Sequence, residues 1–145
     1  MQRWLNSLAI SKLPVHPAAA AYRVNRSIFD NASVHAGSKY LLRMDCEDFF
    51  PSITESDIRL LVESRSAIFS EWDKYDVELF CKLVCRDQRL AIGSPSSPGL
   101  SNAICYDMDS QLADLSGKQG GDVHTLRRRS ILLDHTTERV ARLGK

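Results

Sequence analysis

No apolar run in this sequence approaches the ~20 residues that a membrane-spanning helix needs, which argues against an integral membrane protein. Met1 to Pro14 carries Arg3 but no long hydrophobic stretch, so a secretory leader is not expected. Cysteine is sparse and unpatterned. Cys46, Cys81, Cys85 and Cys105 show no Cys-x-x-Cys spacing and no histidines at zinc-finger distances. A disulfide framework or a structural zinc site is therefore not expected, and reduced thiols in the cytoplasm are. The 7 glycines and 5 prolines form no Gly-Ser linker, and no internal repeat is present, so 145 residues leave room for one domain of ordinary size. A broad basic face is missing too. Up to Gly121 there are 13 basic against 15 acidic residues, and after it 6 against 3. A protein that grips many phosphates needs a basic surface, so any nucleic-acid role would draw part of its grip from elsewhere.

What is present is ordinary for a globular chain: 43% hydrophobic and 26% charged residues. Residues 1–13 suit a short helix with Trp4, Leu5 and Leu8 on one side, interrupted by Pro14 and Pro17. Ser27 to His35 suits another, closed by Gly37 at the left-handed cap. Tyr40 to Met44 is an apolar run ending in acid, the pattern of a buried strand. Thr54 with Asp57 three residues on predicts a capped helix start, with Ile58, Leu61 and Val62 facing inward. A second helix is expected from about Asp73 to Arg86, with Val77, Phe80, Cys81 and Val84 at helical spacing. Cys81 and Cys85 on it read as two packed thiols rather than a metal pair. Arg89 to Ile92 suits an extended edge, and Gly93 to Pro98 a turn-rich loop. Ser97-Pro98 suits the start of a third helix, with Leu100, Ile104, Met108, Leu112 and Leu115 as its buried stripe and Gly117, Gly120 and Gly121 as its end. The fold class expected is α/β (α+β), rich in helix with few strands.

The chemistry-bearing segment is Met44-Asp45-Cys46-Glu47-Asp48-Phe49-Phe50-Pro51-Ser52-Ile53. A carboxylate at the end of an apolar strand is costly to bury without a partner. Metal-dependent phosphoryl transfer uses such a position, because an Asp on a rigid strand end can hold Mg²⁺ against phosphate oxygens. The plainer alternative is that Asp45, Glu47 and Asp48 only cap the next turn.

Three motifs stand in order: Arg26-Ser27-Ile28 with Asn31-Ala32 and His35; the strand running into Asp45 and Asp48-Phe49-Phe50-Pro51-Ser52-Ile53; and Gly93-Ser94-Pro95-Ser96-Ser97-Pro98 leading into Leu100-Ser101-Asn102. In this set the sequence resembles the reverse transcriptases of bacterial retrons, over roughly residues 16–121. The resemblance implies a partial right-hand polymerase, palm and fingers, with residues 1–15 as a residual N-terminal segment. It implies an RNA-directed DNA polymerase that uses two Mg²⁺ ions, an RNA template and primer and deoxynucleoside triphosphates, with a retron effector protein as a possible partner and antiphage defence as a possible role. Asp45 matches the first metal-binding, catalytic aspartate, and the backbone carbonyl of Cys46 an auxiliary ligand. Phe50 matches the aromatic that stacks under the incoming sugar and excludes a 2′-hydroxyl, the one feature separating ribose from deoxyribose there. Gly93 matches the nucleotide pocket. Arg26, Asn31, His35, Ser96 and Pro98 match positions that contact template RNA.

The departures matter as much. The family often has Leu-Pro-Gln-Gly where this chain has Leu90-Ala91-Ile92-Gly93, and Ile92 lacks the glutamine's hydrogen bonds. The thumb and most of the fingers are not matched. The family's Tyr-Ala-Asp-Asp, source of the second and third catalytic carboxylates, is absent. Where it should fall stands Asp122-Val123-His124-Thr125-Leu126-Arg127-Arg128-Arg129-Ser130. The genetic code allows GAT GTA CAC ACG TTA CGC CGA CGA TCT for these residues. The same bases one nucleotide later read Met-Tyr-Thr-Arg-Tyr-Ala-Asp-Asp, and Ile131 to Asp134 allow Leu-Ser-Phe-Ser to follow. Residues 122–145 are thus expected to be an out-of-frame, disordered basic tail, and the chain an inactive fragment with weak or no Mg²⁺ binding. The alternative is a non-catalytic RNA-binding or interaction fragment whose Arg127-Arg128-Arg129 tail is genuine.

Overall fold

Thr54 and Asp73 start two helices as their sequences predict. The computed structural model describes residues 1–20, 29, 33, 35, 36, 40–118, 121–125 and 131–135. Their elements are, in chain order, α1 (Gln2–Leu8), a 3₁₀ turn (Ile10–Lys12), β1 (Tyr40–Met44), α2 (Phe49–Ser52), α3 (Glu55–Ser64), α4 (Lys74–Val84), β2 (Cys85–Arg86), β3 (Arg89–Leu90), α5 (Ser97–Ile104), α6 (Tyr106–Lys118), β4 (Val123–Thr125) and β5 (Ile131–His135). They divide into two units: Met1–Val15 with Glu47–Tyr106, and His16–Cys46 with Asp107–Lys145. The first fifteen residues thus share a unit with 47–106.

In the first unit, Thr54 and Asp57 form a reciprocal capping box at the start of α3. The Thr54 hydroxyl accepts from the Asp57 N–H, and the Asp57 carboxylate accepts from the Thr54 N–H at 2.7 Å. Asp73 and Asp76 repeat the device on α4, where the Asp73 carboxylate accepts from the N–H groups of Tyr75 and Asp76. Each box satisfies amide groups that a helix start leaves without partners, and such caps contribute about 1 kcal/mol. Ile58, Leu61 and Val62 of α3 and Phe80, Cys81 and Val84 of α4 are buried in one core, as their spacing predicts. Trp72 packs there edge to face on Phe69 and Phe80, with centroids 4.7 and 5.1 Å apart, and Phe69 lies tilted against Phe80 at 6.4 Å.

α4 is two residues shorter than the sequence suggests, because Cys85-Arg86 pairs with Arg89-Leu90 in a tight hairpin. Asp87 and Gln88 at its tip both have left-handed φ, 51° and 59°, the geometry of a two-residue turn whose twist matches its strands. The hairpin is tied to the preceding segment. The Leu90 N–H donates to the Ile53 carbonyl, the Glu55 N–H to the Gln88 carbonyl, and Arg89 Nη1 to the Pro51 carbonyl, each at 2.9 Å.

The helix expected from Ser97 to Leu115 is two helices with a break at Cys105. Ser96 is the N-cap and Pro98 lies in the first turn, one place later than the N1 position expected. The split separates the stripe. Leu100 belongs to the core of the first unit, while Met108, Leu112 and Ala113 pack on Ala18, Val123 and Ile131 in the second. Leu115 is exposed, a correction to the stripe. The inward face of α6 centres on Asp109 and Ser116, and at about 100° per residue Leu115 falls a quarter turn away.

The second unit holds a three-stranded antiparallel sheet in the order β1-β5-β4. Met44 pairs with Ile131, Leu42 with Leu133, Thr125 with Ile131 and Val123 with Leu133. β1 forms as expected but is not a buried strand. It lies at the sheet edge, and Leu41, Leu42 and Met44 are 55%, 49% and 36% exposed. Two stretches of the tail expected to be disordered, 123–125 and 131–135, are strands here, and Val123 and Ile131 are buried. Most of the helix expected at 27–35 lies outside the described residues; Phe29, Ser33 and His35 are helical. Gly37 and Gly120 also lie outside them, while the Gly121 N–H closes on the Ser116 carbonyl at 3.1 Å, the wide turn that ends α6.

Candidate active site

The strand run Tyr40–Met44 places Asp45 immediately beyond the last sheet row. That row holds Met44, Ile131 and Thr125 on three adjacent strands. β1 ends there, β4 ends there and β5 begins there. Asp45, Glu47 and Asp48 are exposed and Cys46 is half-buried.

The capping alternative is not met at Asp48. Asp48 occupies the N-cap of α2 in a left-handed conformation, φ 43° and ψ 39°, but its side chain makes no capping hydrogen bond. The turn is closed by backbone, the Ser52 N–H donating to the Asp48 carbonyl at 2.8 Å. Among the described residues, no group of three or more His, Cys, Asp or Glu side chains is placed to hold a metal ion.

The other candidates fall in both units. Phe50 lies in the core of the first, 7% exposed, its ring tilted against Phe49 with centroids 5.2 Å apart. Phe49 is the more accessible of the two. Gly93 is exposed with φ 81°, and a Cβ there would meet nothing within 4 Å. Backbone conformation, not space, is what asks for glycine. Ser96 has no accessible surface, and its hydroxyl lies 2.9 Å from that of Ser94. As folded, its side chain builds the loop and has no surface to offer a template. Pro98 sits in the first turn of α5. His35, in the second unit, is buried, and its Nε2 lies 2.9 Å from Nδ1 of His124 on β4 with the rings edge to face. Arg26 and Asn31 lie outside the described residues.

One buried acid escaped sequence reasoning. Asp109 on α6 has no accessible surface, and burial pushes its carboxyl up to about 7. Its place beside Met108 and Leu112 was the available signal: a carboxylate at i+1 of an apolar helical stripe borders the inward face. Cys85, on the hairpin side of α4, is pushed up to about 11 by burial and by the neighbouring Cys81, which leaves an inert thiol rather than a nucleophile.

No protein-family model matches the chain. Individual proteins do. It is 36% identical over 132 residues to the retron Mx162 reverse transcriptase of Myxococcus xanthus, covering 82% of this chain and 27% of that one. It is 40% identical over 119 residues to the retron Ec73 reverse transcriptase of Escherichia coli, covering 77% of this chain and 37% of the relative. Identity to the retron Ec86 reverse transcriptase of the same species is 30% over 120 residues, 83% of this chain and 36% of the relative. The chain thus spans between about a quarter and just over a third of the length of these relatives.

Proposed function

The chain is a homologue of the retron reverse transcriptases, and we propose that it is part of an RNA-directed DNA polymerase whose reaction it does not perform as translated. The reaction is the copying of a structured RNA into DNA from deoxynucleoside triphosphates. A retron effector as partner, and a role in antiphage defence, rest on the family resemblance alone.

The observation that carries this reading is the strand Tyr40–Met44 running into Asp45, in a chain 30–40% identical to retron reverse transcriptases. Asp45 follows β1 directly, and in the sequence residues 126–130 connect β4 to β5. Read one nucleotide later, permitted codons put aspartates at the places of Arg128 and Arg129, inside that connection. Residues from about Gly121 onward are, on this proposal, translated out of frame. The residues that stand there do not suit a divalent cation. Asp45 is one carboxylate where the family's two-ion chemistry takes three, and the sequence where the others would fall reads Arg127, Arg128 and Arg129, of the wrong charge. No metal-dependent step is assigned to this chain.

A second reading has an observation of its own. Val123 and Ile131 are buried and their strands are in register with β1, which favours a genuine folded tail whose arginines bind RNA. Primer extension on a primed RNA template separates the two. The 145-residue chain should make no DNA. A protein with the frame restored after Gly121 and extended to the length of its relatives should, and Asp45→Ala should abolish it. Salt-sensitive RNA binding by the 145-residue chain, lost when Arg127, Arg128 and Arg129 become Ala, with no synthesis by the restored protein, supports the second reading instead.

A further inference from the structure

α1 does more than add Leu5 to a core. Gln2 and Asn6 are four apart and share one face of it. The Gln2 carboxamide uses both ends. Its Nε2 donates to the Leu83 carbonyl at 2.7 Å, and its Oε1 accepts from the Ser94 hydroxyl at 2.5 Å. Leu83 lies in the last turn of α4, where helical carbonyls lack partners within the helix. Asn6 Nδ2 donates to the Pro95 carbonyl at 2.8 Å. From Ser94 the chain of bonds continues inward: its hydroxyl lies 2.9 Å from that of the fully buried Ser96, and the Ser97 hydroxyl donates to the Ala91 carbonyl at 2.6 Å.

The helix that carries these amides is seated firmly. Its Leu5, and Ala9, Ile10 and Leu13 of the turn that follows it, are buried in the first unit's core. Ile10 lies so close to α5 that a Cβ on Gly99 would stand 2.5 Å from its Cγ2. The grip falls on one side of the 93–98 loop only. Ile92 is 72% exposed and Gly93 is exposed, so the apex stays open while the leg from Ser94 to Ser97 is fixed.

We propose that Gln2 is a positioning residue for this loop, acting through Ser94 to hold the exposed Ile92–Gly93 apex where a deoxynucleoside triphosphate would meet it; the ligand rests on the polymerase reading above. A single amide suits the task because it donates to a carbonyl and accepts from a hydroxyl at once. No apolar residue at position 2 can replace either bond.

Hydrogen exchange on the 145-residue chain tests the clamp. Gln2→Met should speed exchange of the Ser94 and Ser97 amides about tenfold, leaving amides within α3 unchanged. Ser94→Ala alone should speed exchange of the Ser97 amide at least as much, since it removes the bond to Gln2 and the one to Ser96. In the frame-restored polymerase, Gln2→Met should raise the KM for deoxynucleotides several-fold at unchanged kcat. No change at the loop, or an equal rise throughout α3, overturns the clamp. A local rise with unchanged KM overturns the positioning role. If the restored protein makes no DNA, the polymerase reading fails with it, and the exchange result still decides the clamp.

Discussion

Met44 stands opposite Ile131, whose other neighbour is Thr125, and this row joins the strand leading to Asp45 with the two strands that flank residues 126–130. Ile131 is 5% exposed and packs in the second unit's core. Ile131→Ala should therefore cost about 2–4 kcal/mol, as for other buried aliphatics truncated to Ala. Denaturant unfolding followed in the second unit measures it. A loss within 0.5 kcal/mol would mean that the tail strand does not pack.

Asp109 makes the second unit's stability depend on pH. Its folded pKa of about 7 is raised above the ordinary carboxylate value by burial. The stability it contributes is fully present below the unfolded pKa, near 4, and is lost as pH rises through 7. At ~1.4 kcal/mol per pKa unit this is on the order of 4 kcal/mol across the window. Melting curves of wild type and Asp109→Asn between pH 4 and 8 should diverge upward in pH, with the variant the more stable at pH 8. Parallel curves would show that the carboxylate is not desolvated.

The three described glycines with defined surroundings should respond differently to alanine. Gly93→Ala should destabilise by about 1 kcal/mol through its positive φ alone. Gly117→Ala, in α6 with open space around it, should stabilise by about 1 kcal/mol. Gly99→Ala should be the most damaging, because Ile10 stands in the way. Unfolding free energies in any other order contradict the packing of the 3₁₀ turn on α5.

Phe50→Ala should cost about 3–5 kcal/mol, because the ring is core as well as candidate sugar contact. A test of ribonucleotide discrimination therefore needs the milder Phe50→Leu, with stability measured beside selectivity. A loss under 1 kcal/mol for Phe50→Ala would place the ring outside the core.

Local chemistry was legible and non-local placement was not. Thr54 with Asp57 declared a helix start because the capping box is written within four residues, and the spacing of Val77, Phe80, Cys81 and Val84 gave the inward face of α4. The apolar run Tyr40–Met44 declared a strand, yet its edge position depends on where 131–135 pairs, about ninety residues on. Nothing near Cys105 marks a helix break, since neither Gly nor Pro stands there. Asp109 showed in the sequence only as a neighbour of Met108 and Leu112 at the border of the apolar stripe, and its complete burial comes from the packing of α6. Asp45 and the Gly93 loop were named from motif order, and their places at the end of β1 and ahead of α5 follow from local sequence. The Gln2–Ser94 bond and the His35–His124 contact were not legible there, because each spans roughly ninety residues.

The nucleotide sequence of the gene from codon 121 to codon 135 is the most direct measurement. One nucleotide downstream of the translated frame it should encode Tyr-Ala-Asp-Asp, with the aspartates at the places of Arg128 and Arg129. Synonymous codons that encode no aspartate pair there contradict the shifted frame and leave the arginine tail as the chain's own.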